Sequence, residues 1–178
     1  MDSNFQFLRA GWPEVFQNAQ QAEAHGITAP VTSVFYSRLT LELMVNWLYE
    51  NDGELEAPYD TALSSRMYER TFREILPPSM YKELHIIRKE GNNAVHTGKT
   101  SQYKALAMLK YLHRFLGWCA RLYSEERPEV PTFEDHFIPA KGTAEKSKAQ
   151  LERMQLQVEE RVEELQKERR RRLQAEEE

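Results

Sequence analysis

VTSVFYSRLTLELMVNWLYEN, residues 31–51, is the stretch on which the fold turns. Val31, Val34, Phe35, Leu41, Met44, Val45, Leu48 and Tyr49 recur at spacings of three and four, which lays them along one broad side of an α-helix. Pro30 stands just ahead of it, where its missing N–H costs a helix nothing, and Gly53 supplies a stop. An apolar face this broad is that of a core helix.

The same period continues in both directions. Upstream, SNFQ at 3–6 has the spacing of a capping box for a short first helix, and Pro13 fits the first turn of a second that runs to about His25. Downstream, Asp60 is placed to cap TALSSRMYERTFREIL, residues 61–76, which Pro77 and Pro78 interrupt. SMYKELHIIRKEGNNAVH, residues 79–96, reads as the next helix, and Ser101 caps QYKALAMLKYLHRFLGWCARLYS. In that last helix Leu106, Leu109, Leu112, Phe115, Leu116, Cys119 and Leu122 form an apolar stripe. Alternating apolar and polar runs of useful length are missing, so the predicted fold class is all-α.

Residues 1–125 are expected to form the helical domain. Residues 126–141 read as a strap, in which Pro128, Pro131 and Pro139 are spaced among the apolar Phe133, Phe137 and Ile138. Residues 142–178 read as a charged helical tail with a short coiled-coil seam at Leu151, Met154, Val158, Val162 and Leu165. The tail ends in four arginines, Arg169 to Arg172, between glutamates, which reads as a solvated helix before it reads as a nucleic-acid grip.

Charge is distributed unevenly along the chain. The formal net of -4 contains an acidic first part, residues 1–65 at -7, and a basic middle, residues 66–127 at +6. The basic middle is a candidate anion-binding face, and the plainer reading is attraction between the two halves within one domain. A single cysteine, Cys119, in an apolar segment excludes an internal disulfide and suits a reducing cytoplasm. Neither a signal-peptide pattern nor an apolar run long enough to span a bilayer is present, so no membrane partner is expected.

The segment RKEGNNAVHTGKT, residues 88–100, carries the residue types of phosphate chemistry. Its GKT resembles the end of a P-loop, but that loop needs a glycine where Asn93 stands and a strand where a helix is predicted. The simpler assignment is that Thr97-Gly98 closes one helix and Thr100 or Ser101 caps the next. Arg88, Asn92 and His96 differ, because a spacing of four and four advances only about 40° per step and aligns a cation, an amide and an imidazole in one stripe. Gly91 in the same turn costs about 1 kcal/mol relative to alanine, which points to a close neighbour on that side. In the structural reading Asn92 and His96 satisfy buried groups between helices and Arg88 pairs with a carboxylate such as Glu42. In the functional reading the stripe is a catalytic or binding site, with Arg88, Lys89 and Lys99 as nucleic-acid contacts.

Other chemistry is weakly represented. Glu134, Asp135 and His136 are adjacent metal-ligand types without a second cluster, so neither metal nor cofactor is expected. His25, His85 and His113 read as packing or surface residues, and Trp47, Tyr49, Tyr103, Tyr111 and Trp118 as core aromatics at helical spacing. A Gly-x-Ser-x-Gly elbow is absent, and Cys119 lies in a stripe expected to be buried.

MDSNFQFL, the segment PEVFQNAQQAEAHGITAPVTSVFYSRLTLELMVNWLY and above all IIRKEGNNAVH resemble the helical domain, of unknown function, that precedes the helicase motor in type I restriction R-subunit-like proteins. That domain is similar to the HEPN group of helical domains. The resemblance covers roughly residues 1–125. It implies a HEPN-like bundle that forms homodimers, with the tail as a charged linker toward a helicase or nuclease region. In catalytic members of the HEPN group, an arginine and a histidine from each of two protomers cleave RNA without metal. Carried over, Arg88 would stabilise charge on the phosphate, and His96 would activate the 2′-hydroxyl or protonate the leaving oxygen. This chain departs from the pattern. Seven residues separate Arg88 from His96, more than in those ribonucleases, and Lys89 follows the arginine. The expected function is therefore a self-associating, nucleic-acid-contacting module that is not itself catalytic. A metal-independent ribonuclease and a pure protein-interaction domain are the alternatives.

Overall fold

The computed structural model describes residues 2–140 and Arg153. The chain divides into two units, residues 1–142 and 143–178. The seam from Leu151 to Leu165 and the arginines 169–172 lie outside the described residues.

Every regular element among the described residues is helical: α1 (Pro13–Ala24), α2 (Pro30–Asn51), α3 (Leu63–Tyr68), α4 (Arg70–Ile75), α5 (Pro78–Thr97) and α6 (Gln102–Tyr123), with single 3-10 turns at Gln6–Leu8 and Asp135–Phe137. Helix α2 is the centre of the bundle. It packs on α1, α5 and α6, and α5 packs on α6. Burial spreads around α2 beyond its apolar face, because Thr32, Ser33, Ser37 and Thr40 are buried with Val34, Phe35, Leu41, Met44, Val45 and Leu48. The hydroxyls are satisfied inside: Ser33 Oγ donates to the Ala22 carbonyl at 2.7 Å, Ser37 Oγ to Ser33 at 2.8 Å and Thr40 Oγ1 to Tyr36 at 2.7 Å. Small side chains whose donors bond to backbone let neighbouring helices come close without stranding a polar group.

Helices α5 and α6 are joined by a tight turn. Gly98 caps α5 in the left-handed conformation (φ 63°), and the Ser101 hydroxyl accepts from the Lys104 N–H at 3.2 Å to start α6. The helices then run antiparallel, zipped by Lys104 with Glu90 at 2.9 Å and, further along, by Arg114 with Glu83. The α6 stripe is buried at Leu109, Leu112, Phe115, Leu116 and Cys119, whereas Leu122 is 62% exposed at the end of the helix.

Three local expectations need correction. Ser3 does not form a capping box: its hydroxyl accepts from the Phe5 N–H at 3.2 Å, and its carbonyl accepts from Gln6, giving a 3-10 turn in place of a first helix. The segment 61–76 is two helices, broken at Glu69 in extended conformation. The Tyr49 hydroxyl donates to the Arg66 carbonyl at 2.6 Å, taking an acceptor that an unbroken helix would use for Arg70, and the Arg70 N–H turns to the Glu69 carboxylate. Asp60 is not the cap either: α3 starts at Leu63 with Ala62 as its uncapped N-cap, and Asp60 accepts from Ala62 N at 3.0 Å and Ser65 Oγ at 2.8 Å in the turn ahead of it.

The strap returns along the bundle in contact with it. Ile138 is buried, and Val130 and Phe133 pack on the core. Gly117 on α6 makes room for it, since a Cβ there would stand 2.8 Å from the Val130 side chain. The strap is tied to the N-terminal segment through Asn4, which is 1% exposed. Its side-chain amide donates to Glu23 at 2.7 Å and to the Glu134 carbonyl at 3.0 Å, and its side-chain carbonyl accepts from the Glu134 N–H at 2.7 Å.

Candidate functional site

Helix α5 carries the stripe that the sequence singles out. Leu84, Ile87, Gly91 and Ala94 face the core, which turns Arg88 and Asn92 to a half-buried flank and leaves His96 exposed near the C-terminal end. Gly91 touches α2 closely: a Cβ there would stand 2.5 Å from Arg38 Cβ and 2.7 Å from Arg38 Cδ. The missing side chain is thus a packing requirement of the α2–α5 contact. Gly91→Ala should lower stability by about 1–3 kcal/mol despite alanine's better helix propensity, because Arg38 Cβ moves only with its helix. Urea denaturation that finds the variant at least as stable as the wild type would exclude this contact.

The interhelical network expected around the stripe is not formed. Glu42 pairs with Arg38 on its own helix at 3.2 Å, one turn away, and not with Arg88. His96 is exposed, and neither its side chain nor that of Asn92 makes a hydrogen bond to another described residue. Arg88 instead lies over the Tyr68 ring, 5.9 Å from its centroid, with a buried Nε that has no partner. Tyr68 leads to His85, whose ring is 5.1 Å away, and His85 to Tyr81 at 4.5 Å. Burial first, and then the Arg88 charge, lowers the His85 pKa and so favours the neutral imidazole. From the sequence alone His85 reads as a packing or surface residue. Its spacing of three from Arg88 on α5 and of four from Tyr81 carried the signal, but Tyr68 comes from another helix.

The basic middle keeps much of its charge uncompensated. Its ion pairs are local, Arg70 with Glu74, Lys104 with Glu90 and Arg114 with Glu83, or reach the strap, as Lys110 does to Asp135 at 3.0 Å. None of these joins the acidic first 65 residues, so attraction between the halves is not expressed through them. Lys89 and Lys99 are exposed and form no ion pair with a described residue, and Arg73, Lys82 and Arg88 likewise have none. Among the described residues no group of three His, Cys, Asp or Glu side chains is arranged to hold a metal ion. Helices long and apolar enough to cross a membrane are also absent among them. Tyr103, expected in the core, is 81% exposed. Its position in the first turn of α6 places it beyond the packed faces.

Comparison with known proteins yields no match: no family model, no curated protein and no solved structure matches the chain.

Proposed function

We propose that this chain is a HEPN-like helical module of a type I restriction R-subunit-like or phage-defence helicase, which self-associates and contacts nucleic acid through α5 without being a catalyst itself. The observation that carries the reading is the α5 flank: the fold consumes Gly91 and Ile87 but leaves the side chains of Arg88, Lys89, Asn92, His96 and Lys99 without carboxylate or hydrogen-bond partners among the described residues. Cations left unpaired on one helix and the turn after it suit a polyanion, whose binding releases counterions and weakens steeply with salt.

Fluorescence anisotropy with a labelled oligonucleotide should show sequence-independent binding that falls with rising salt. Lys89→Glu/Lys99→Glu should reduce it by tenfold or more, about the effect of removing two phosphate contacts and reversing their charge. Binding that ignores salt, or a double variant that binds like the wild type, would remove α5 from the interface.

A second reading, the metal-independent ribonuclease with Arg88 and His96 combined across a dimer, is favoured by the exposure of His96, which leaves its ring free to move protons. RNA cleavage in EDTA that disappears in His96→Ala would establish it over the non-catalytic module. The third reading, a protein-interaction domain, would be favoured by an absence of oligonucleotide binding together with a stable dimer.

A further inference from the structure

Tyr68 is a large aromatic side chain left 59% exposed, yet it is held on two sides. The Arg88 guanidinium lies over its ring, and His85 meets it at an interplanar angle of 52°, itself braced edge-on by Tyr81 at 75°. An exposed tyrosine free to swing would lose rotamer entropy on capturing a ligand, whereas one already braced loses less. Arg88 lies beside the ring, and at the neighbouring Tyr81 hydroxyl, where burial is the larger influence, the charges of Arg73 and Arg88 are also felt; Lys82 and Lys89 are exposed on α5, and none of these four cations forms an ion pair with a described residue. His85 Nε2 and Arg88 Nε are buried without hydrogen-bond partners among the described residues, so the cluster is not closed by bonds from them. Rings and uncompensated cations are therefore contributed together by α3, α4 and α5.

We infer that Tyr68, braced by His85 and Tyr81 and flanked by Arg88, is a stacking platform for an unpaired nucleobase, with Arg88 and Arg73 taking the adjoining phosphates. This rests on the nucleic-acid reading above and narrows it to single strands. Base faces in a duplex are occupied by their neighbours, so a protein ring gains contact only with a base that is unstacked. An acidic peptide would satisfy the cations but offers no flat ring to Tyr68.

The test is anisotropy with labelled oligo-dT, oligo-U and a duplex of equal length, on the wild type, Tyr68→Leu, Tyr68→Trp and Lys89→Glu/Lys99→Glu, with thermal melts to confirm folding. Either single strand should bind at least tenfold more tightly than the duplex, and the ratio of the two assigns DNA or RNA as the source. Tyr68→Leu should lose about tenfold for single strands and almost nothing for the duplex, and Tyr68→Trp should retain or strengthen single-strand binding. Equal affinity for single and double strands with an inert Tyr68→Leu overturns the platform. If Lys89→Glu/Lys99→Glu still weakens binding in that case, the broader nucleic-acid reading survives. Displacement of the single strand by poly-glutamate as effective as by unlabelled oligonucleotide would also overturn it, marking a general anion surface. Binding to none of the probes would remove both.

Discussion

Asn4→Ala is expected to destabilise the bundle by about 3–5 kcal/mol, because truncation strands the buried Glu23 carboxylate and breaks both bonds to the Glu134 backbone. The Asn4 side chain makes three hydrogen bonds, to Glu23 Oε1 and to both backbone groups of Glu134. Glu23 is 3% exposed, and among the described residues the hydrogen-bond donors that reach its carboxylate both come from Asn4. After truncation only the Asn4 backbone N–H, at 3.0 Å, remains to it. Hydrogen bonds to a charged group contribute more than neutral ones, and a buried charge left short of donors costs more still. Thermal denaturation should show a melting temperature lowered by roughly 10–20 °C, given a few degrees per kcal/mol for a domain of this size. Adding Glu23→Gln should recover part of the loss, since a neutral amide is cheaper to leave underbonded, so the two changes should not be additive. A melting temperature within about 2 °C of the wild type for Asn4→Ala would show that the strap and the first residues are not tied as the hydrogen bonds imply.

That knot also marks where sequence reasoning stops. Helices α2, α5 and α6 could be read because their buried positions repeat at helical spacing and their ends carry local signals: Pro30 at the first position of α2, Gly98 after α5 and Ser101 before α6. Gly91 could be read as a close approach for the same reason, since a glycine within a helix asks for an explanation nearby. The partner it meets, Arg38, lies on another helix and could not be named. The features that were missed are non-local. The break at Glu69 depends on the hydroxyl of Tyr49, 17 residues before its acceptor Arg66, and the Asn4–Glu134 bonds span 130 residues. Glu42 shows the converse, because a cation one turn away on the same helix was available to it before any interhelical partner. The candidate site was half legible: the stripe Arg88, Asn92, His96 follows from spacing alone. The ring of Tyr68 beside Arg88 required the fold.

Stability should fall in acid through His113. This residue on α6 is 6% exposed and enclosed by the rings of Phe5, Phe7 and Phe133 at 5.7, 5.5 and 5.4 Å. Its Nε2 has no hydrogen-bond partner. Burial lowers its pKa from 6.5 to about 4; a hydrogen bond to the Asn4 backbone works against that shift, and the charges of Arg121 and Arg114 add to it. The folded protein thus keeps His113 neutral where the unfolded chain would protonate it. Above the ordinary histidine pKa both states are neutral and nothing is lost. As the pH falls below that value, the unfolded chain takes up a proton that the folded one refuses, and stability declines until the pH reaches the folded-state value. Integrated over a shift of this size the loss is about 3 kcal/mol, at roughly 1.4 kcal/mol per unit. His113→Phe would lose the Asn4 bond at every pH but place a neutral ring among the three phenylalanines, so its baseline moves while its slope flattens. Urea denaturation of both proteins between about pH 7 and about pH 4.5 separates this residue from the carboxylates common to both, whose titration cancels in the difference. The wild type should lose about 2–3 kcal/mol more than His113→Phe over that interval. Parallel curves would mean that the ring takes its proton in the folded state as readily as in the unfolded one, and that the cage of Phe5, Phe7 and Phe133 admits water to Nε2.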